Sequence, residues 1–465
     1  MKRFVKTLAL IAVLAAVLTV SVFAADFEHC ADALKELGLF QGTSQGYELD
    51  RAPNRAEAGV MLVRLLGKEA EAQAIGEYTA PFTDVKEWAK PYVQYLYDNG
   101  LTKGKTETTF GYSDLCTAQQ YATFLLRALG YSDAENGDFT YAGALDFARE
   151  AGVVDAVNCD AANFLRDDVV AMSYTALAAA PKSGETDLLT KLVKEGAVPD
   201  ARGYDDQFEA YRDYCEAAAA AADQQKASMV MDLDVAVQLA GASFMKGDMQ
   251  MDAAMELNAE QMDQSKMAYT MDVNMEIDPA MAEASGLSAE EAKIAMQMNC
   301  CYADGYFYME ADGQKFKMPL SFEEALSQAA VVSAADTAEP ISMLKSISVS
   351  KSSAGAQTYH ITYAPGAMNS LIRTVMSAVS TGAAVEAPEV RMEELSMDVT
   401  VSNGRVSGMK MTMGMEMAAE GQTMAMDLLV NIHDMKTGSA VTVALPEDLD
   451  TYQELIGGAD APAAA

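Results

Sequence analysis

Of the 31 methionines in this chain of 465 residues, only Met1, Met61 and Met172 precede residue 228. So abrupt a change in side-chain usage divides the chain into two parts that must be read separately. Beyond residue 228 the apolar period is two. Met229, Met231, Leu233, Val235 and Val237 alternate with Val230, Asp232, Asp234 and Ala236, the pattern of a strand with one buried face. It returns at Met271, Val273, Met275 and Ile277, at Met397, Val399 and Val401, at Met409, Met411, Met413, Met415 and Met417, and at Met424, Met426, Leu428, Val430 and Ile432. Asn403-Gly404 and Asp304-Gly305 signal tight hairpins, and Glu420-Gly421 lies in another short turn, so the strands are antiparallel neighbours in a large meander that curves or partly closes. Ser288-x-x-Glu291 and Ser321-x-x-Glu324 are capping boxes that open short helices, and Pro365 opens another through Leu371, Ile372, Val375 and Met376. Helices set between strands bury the apolar face, which predicts an α+β antiparallel half-barrel with covering helices over residues 227–450.

Methionine is an unusual choice for such a face. β-branched residues fit a pleat and specify one packing, whereas methionine is flexible and polarizable and suits a surface that adapts. Met409, Met411, Met413, Met415, Met417, Met424 and Met426 are therefore read as the lining of an apolar cavity for a lipid-like ligand. The competing reading is an ordinary core in which methionine replaces leucine or valine.

The first part begins with Lys2, Arg3 and Lys6, an apolar run from Leu8 to Val20, and Val22-Phe23-Ala24. This reads as a secretory signal peptide over residues 1–24, leaving no membrane span after cleavage. No cysteine stands at the first position after the cut, and the tail over 451–465 carries no sorting motif or hydrophobic anchor. Residues 27–182 hold a degenerate threefold repeat, about 27–70, 80–131 and 138–182. Each unit ends an apolar helical stretch at a glycine (Gly38, Gly100, Gly152) suited to a left-handed C-cap. A second helix follows at Arg55–Leu66, Ala118–Leu129 and Arg166–Ala178, and repetition at this period predicts a helical array. Residues 183–226, with the alanine tract 217–222, form a helical junction.

Phe82-Thr83-Asp84-Val85-x-x-Trp88-Ala89, Gly100-Leu101-x-x-Gly104, Phe110 and Thr117 in the second unit, with Asn54-Arg55-Ala56-Glu57 in the first and Leu165-Arg166-Asp167-Asp168 in the third, resemble the S-layer homology domain. That resemblance implies attachment to the secondary cell-wall polysaccharide through grooves between repeats. In these grooves an arginine, with the Asp and Trp of a repeat's first half, takes a pyruvylated sugar. The residues it points to are Arg55, Glu57, Asp84, Trp88, Gly104, Thr117 and Arg166. A forked guanidinium suits the planar ketal carboxylate. Ala118 replaces the signature arginine in the second unit and Tyr141 the family's aspartate in the third, so at most two grooves are equipped. Two structural alternatives stand beside this: Trp88 as a core anchor, and Arg55 paired with Asp50 or Glu57 at the surface. The second part resembles, in pattern and element order only, the periplasmic lipoprotein carriers and their mycobacterial and Gram-positive lipoprotein relatives.

Charge and composition narrow the functions. Lys and Arg total 33 against 68 Asp and Glu, a net charge of -35 that repels phosphate backbones, so nucleic acid is not a partner. Three His, six Cys and the absence of CxxC or HExxH argue against a zinc site, and no cofactor is expected. Gly42-Thr43-Ser44-Gln45-Gly46 matches GxSxG but lacks a strand before it and a helix directly after it. Cys300 and Cys301 are adjacent on a strand, point to opposite faces, and are expected as thiols. His360 and His433 read as outward or hydrogen-bonded strand residues. The chain is therefore read as a secreted, non-enzymatic, wall-anchored surface protein whose second part binds an apolar ligand, or else as a structural or protein-interaction module without one.

Overall fold

The computed structural model describes residues 27–155, 157–222, 225–258, 260–311, 313–322, 324–325, 340–369, 389–419 and 422–454. The signal peptide, the continuation of the Pro365 helix through Met376, the Glu420-Gly421 turn and residues 455–465 of the tail lie outside them.

Helices α1 (Glu28–Glu36), α2 (Arg55–Leu65), α3 (Glu69–Gln73), α4 (Lys90–Asp98), α5 (Ala118–Ala128), α6 (Ala144–Glu150) and α7 (Arg166–Ala178) build the first part. Gly38, Gly100 and Gly152 follow α1, α4 and α6 at φ of 75°, 68° and 70°, a conformation that a Cβ penalises and glycine accepts freely. The longer helices α2, α5 and α7 pack against one another pairwise. Each starts at a local cap. The Asn54 side chain accepts from Glu57 N at 2.9 Å, Thr117 Oγ1 accepts from Gln120 N at 3.3 Å, and Asp168 Oδ2 accepts from Leu165 N at 2.6 Å. Helices α8 (Leu188–Lys194) and α9 (Tyr204–Ala222) lead to the sheet.

The sheet comprises β1 (Lys226–Leu239), β2 (Ala242–Glu256), β3 (Lys266–Ile277), β4 (Lys293–Ala303), β5 (Tyr306–Ala311), β6 (Gln314–Pro319), β7 (Leu344–Lys351), β8 (Gln357–Tyr363), β9 (Glu389–Ser402), β10 (Arg405–Ala419), β11 (Gln422–Thr437) and β12 (Gln453–Glu454). It is one open, curved sheet in the order β12-β6-β5-β4-β3-β2-β1-β11-β10-β9-β8-β7. The expected single meander is thus two, β1–β6 and β7–β11, joined where β1 pairs antiparallel with β11. All neighbours are antiparallel except β12, which lies parallel to β6. Asn403-Gly404 and Asp304-Gly305 turn with positive φ at both positions, as their hairpins require.

One helix expectation is corrected and one is met. Glu291 closes its box on Ser288 N at 2.9 Å, yet residues 289–292 form only a turn because β4 already begins at Lys293. The helix here lies earlier, α10 (Pro279–Ala284), with Asp278 as N-cap and proline at its first position. Ser321 and Glu324 do make reciprocal cap bonds of 2.8 and 3.2 Å. Phe322 and Ala325 beside them enter the core under β3–β5.

The two parts are not separate bodies in their packing. One core cluster runs from Phe27 and Leu34 through α2, α5 and α7 to Ile347, Tyr359, Ile361 and Val399 of the sheet. Helix α9 rests on β7 and β10, and the Tyr214 and Tyr359 rings meet at 5.8 Å.

Candidate functional site: arginine slots between the helical repeats and a methionine face

The segment Phe110-Gly111-Tyr112 organises the first slot. The Asp84 carboxylate accepts three successive backbone N–H bonds from it, at 2.7, 2.8 and 2.9 Å. Partial burial opposes ionisation, but these donors outweigh it and hold the Asp84 carboxyl below the usual carboxylate range. Fixed in this way, the Phe110 carbonyl accepts from Arg55 Nε at 2.9 Å, and the Tyr112 hydroxyl accepts from Trp88 Nε1 at 2.8 Å. Arg55 is 6% exposed, and its guanidinium lies 5.1 Å from the Phe110 ring and 5.0 Å from that of Phe124. The Phe110 bond is the only hydrogen bond of this guanidinium among the described residues. Burial lowers its pKa from the ordinary arginine value. The anticipated partners Asp50 and Glu57 do not pair with it, and Asp114 is engaged by Lys105 Nζ at 2.5 Å.

Trp88 is 50% exposed, so it is a surface ring and not a core anchor. Gly104, at φ 74°, is dictated by packing: a Cβ there would lie 2.7 Å from the Thr106 carbonyl and overlap the Phe82 ring.

The second slot repeats the design with other partners. Arg166, 3% exposed, donates through Nε to the Tyr47 carbonyl at 3.0 Å and contacts the Met61 sulfur through Nη1 at 3.7 Å. Its guanidinium lies 5.9 Å from the Phe40 ring. Glu57 stands near this slot, bound bidentately by Arg51 at 2.9 and 2.9 Å. Burial raises the Glu57 pKa, but Arg51 and the Asn54 N–H lower it further, and the net shift is downward. Arg51 was not singled out from the sequence; only its i,i+3 spacing from Glu48 pointed to it. In the second unit Ala118 stands where an arginine stands in the other two, 2% exposed, and Gln119 Nε2 instead donates to the Tyr141 carbonyl. Thr117 remains a helix cap on an exposed loop.

In the sheet, Met409, Met411, Met413, Met415 and Met417 share one face with Met424 and Met426: Met413 stands opposite Leu428, Met415 opposite Met426, and Met417 opposite Met424. Met415 and Met426 are buried and the other five half-buried. An open groove of about 840 Å³ crosses the opposite face between Asp234, Asp248, Asn274, Lys293, Thr412 and Asp427, and none of the seven methionines lines it. That outer face also carries both strand histidines. His433 bridges Asp232 and Asp434 at 3.0 Å each, and His360 joins Asp398 and Ser350 at 2.8 Å each. The latter has the order of a serine-histidine-aspartate relay but stands on a solvent-exposed strand surface. All six cysteines are free thiols, with Cys300 and Cys301 on opposite faces of β4. No described helix is long and apolar enough to cross a membrane.

Residues 81–112, which hold Asp84, Trp88 and Gly104, match the S-layer homology domain family. The chain carries an S-layer homology domain. Over 126 residues it is 31% identical to the middle cell wall protein of Brevibacillus brevis, which covers 26% of this chain and 12% of that protein. Over 116 residues it is 28% identical to the surface layer protein of Brevibacillus choshinensis, covering 24% and 10%. A stretch of 81 residues is 38% identical to an endoglucanase of Bacillus sp. (strain KSM-635), covering 17% and 8%. The chain thus aligns with about a tenth of the length of each of these relatives. With an S-layer homology domain and relatives in the cell wall and surface layer, it is a secreted, surface-associated protein. Residues 237–450 match DUF6612, a family of unknown function. Mycobacterium bovis LprF superposes on 51% of this chain at 8% identity with a TM-score of 0.25, and a LolA superfamily protein from Nitrosomonas europaea on 52% at 11% with 0.15.

Proposed function

We propose that the helical repeats over 27–182 hold the protein to the secondary cell-wall polysaccharide through the two arginine slots, and that the sheet presents its methionine face to an apolar, lipid-like ligand. One observation carries the first half. Arg55, 6% exposed, and again Arg166, 3% exposed, each have a guanidinium oriented by one carbonyl and no carboxylate within ion-pair distance among the described residues. A buried cation without a directly paired counterion is costly, and an anionic sugar substituent docking there offsets that cost through charge-assisted bonds. Asp84 acts indirectly by fixing Phe110 and Tyr112. Glu57 fixes Arg51, Gly104 shapes the loop, Thr117 caps α5, and Trp88 offers an exposed ring to a sugar face.

The experiment is cosedimentation of the full chain with purified cell-wall sacculi, before and after the secondary polysaccharide is stripped. Binding that depends on the polysaccharide supports this reading, and binding indifferent to stripping refutes it. The second reading, a wall-anchored structural or protein-interaction module with no small ligand, is favoured by the position of the open groove on the face away from the methionines.

A further inference from the structure

The methionines of β1–β4 stand in a register that apolar packing alone does not require. Met231 lies opposite Met251, Met251 opposite Met271, and Met271 opposite Met298, so four thioethers form a continuous row across four adjacent strands. Opposed residues on antiparallel strands keep their Cβ atoms about 5 Å apart, and the rotatable bonds of methionine let neighbouring sulfurs turn toward a common point. Met251 is 1% exposed and the other three are half-buried. Cys300, two residues from Met298 on the same face, packs in one cluster with Met231, Met251 and Met298. The polar partners along these strands, Asp232, Gln250, Asp272 and Gln297, belong to the opposite face by the same register.

Leucine or valine would fill this pleat equally well; what methionine adds is a soft sulfur donor. Hard cations seek oxygen ligands, and the row offers none, whereas thioethers select soft ions. Among the described residues no cluster of His, Cys, Asp or Glu is suited to a metal, whereas these thioethers are a row of soft donors in register. We propose that Met251, with Met231 and Met271 on the strands to either side, forms a binding site for a soft monovalent cation of the Cu(I) class, centred on the buried Met251 sulfur. The site is independent of any apolar ligand, because it uses donor chemistry and not surface area.

The test titrates the full chain with Ag(I), a redox-inert probe of the same class, and then with Cu(I) held by bicinchoninate under reductant. The proteins compared are wild type, Met251→Leu/Met271→Leu, the control Met415→Leu/Met426→Leu, and Cys300→Ser. Leucine keeps volume and apolarity, so circular dichroism and fatty-acyl probe uptake should be unchanged in the ladder variant. Its Ag(I) capacity should fall by one equivalent and its competition for Cu(I) weaken about tenfold or more, while the control pair keeps both. Undiminished capacity in the ladder variant, an equal loss in the control pair, or a loss reproduced by Cys300→Ser alone would overturn the proposal.

Discussion

His29 in the first helix and Ser342 at the entrance to β7 are joined across 313 residues of chain by a 2.9 Å bond from Nε2–H to the carbonyl. This bond ties the helical repeats to the sheet, and burial of the histidine at the junction makes it sensitive to acid. Burial is the largest influence on His29 and lowers its pKa from 6.5 to about 4, against the Ser342 carbonyl and Asp32 and with the help of Lys345. A depressed histidine stabilises the fold fully above its unfolded value of 6.5, and that contribution is lost as pH falls toward 4. The loss is expected to be about 2 to 3 kcal/mol, from roughly 1.4 kcal/mol per pKa unit less an allowance for partial exposure. Asp155, whose carboxyl accepts from Ser342 Oγ at 3.3 Å and is raised by burial, acts in the opposite sense. His29→Gln isolates the histidine: its thermal midpoint should vary less than wild type between pH 6.5 and 4. Parallel profiles would remove His29 as the cause.

Gly104→Ala and Gly100→Ala separate conformational strain from steric overlap. Both glycines hold positive φ, but nothing lies within 4 Å of a Cβ at Gly100, whereas Gly104 faces the Thr106 carbonyl and Phe82. Gly100→Ala is expected to cost about 1 to 2 kcal/mol, the left-handed penalty alone, and Gly104→Ala clearly more. Because Phe82 packs on Phe110 at 5.9 Å, only Gly104→Ala should also weaken wall binding. Denaturant unfolding and cosedimentation read the two effects.

Local features were legible wherever short-range physics decides them. The cap at Asn54 and the left-handed glycines placed α2 and Arg55, and the two-residue period from Met229 to Val237 placed β1. Long-range pairing was not legible. Hairpin signals such as Asn403-Gly404 report only consecutive strands, so the pairing of β1 with β11 and the parallel β12 left no mark in the sequence. The same limit applies at the site. Arg55 was visible as a signature residue, but its anchoring by the Phe110 carbonyl, 55 positions away, and the exposure of Trp88 depend on how one repeat lies against the next. Ser288-x-x-Glu291 shows the converse: the cap forms, and the strand that follows leaves no room for a helix.

Arg55→Gln and Arg166→Gln test whether the two slots act separately. A charge-assisted bond contributes about 1.5 to 3 kcal/mol, so each variant should weaken polysaccharide-dependent cosedimentation of the full chain by about tenfold or more. The double variant should approach background. The slots use different loops, at Phe110 and Tyr47, so the two effects should add in free energy. If neither single variant changes affinity, the arginines do not hold the polysaccharide, and a lowered thermal midpoint would mark them as structural instead.

Met413→Trp distinguishes an adaptable ligand face from a filled core. Met413 is half-buried between Leu395 and Leu428 on neighbouring strands, and its side chain joins two core clusters without being enclosed by either. If the face receives an acyl chain, the indole occupies that space: uptake of a fatty-acyl probe by the full chain falls, and stability changes by less than about 1 kcal/mol. In a close-packed core the same substitution overpacks and costs about 1 to 3 kcal/mol. Met426→Ala sets the scale for real enclosure, since Met426 is 2% exposed and its truncation should cost about 2 to 5 kcal/mol wherever the cavity cannot collapse. The proposed function requires uptake by the parent chain and a midpoint for Met413→Trp well above that of Met426→Ala. No uptake by the parent, with both variants equally destabilised, leaves the methionine face as a core and the protein as a wall-anchored module without a small ligand.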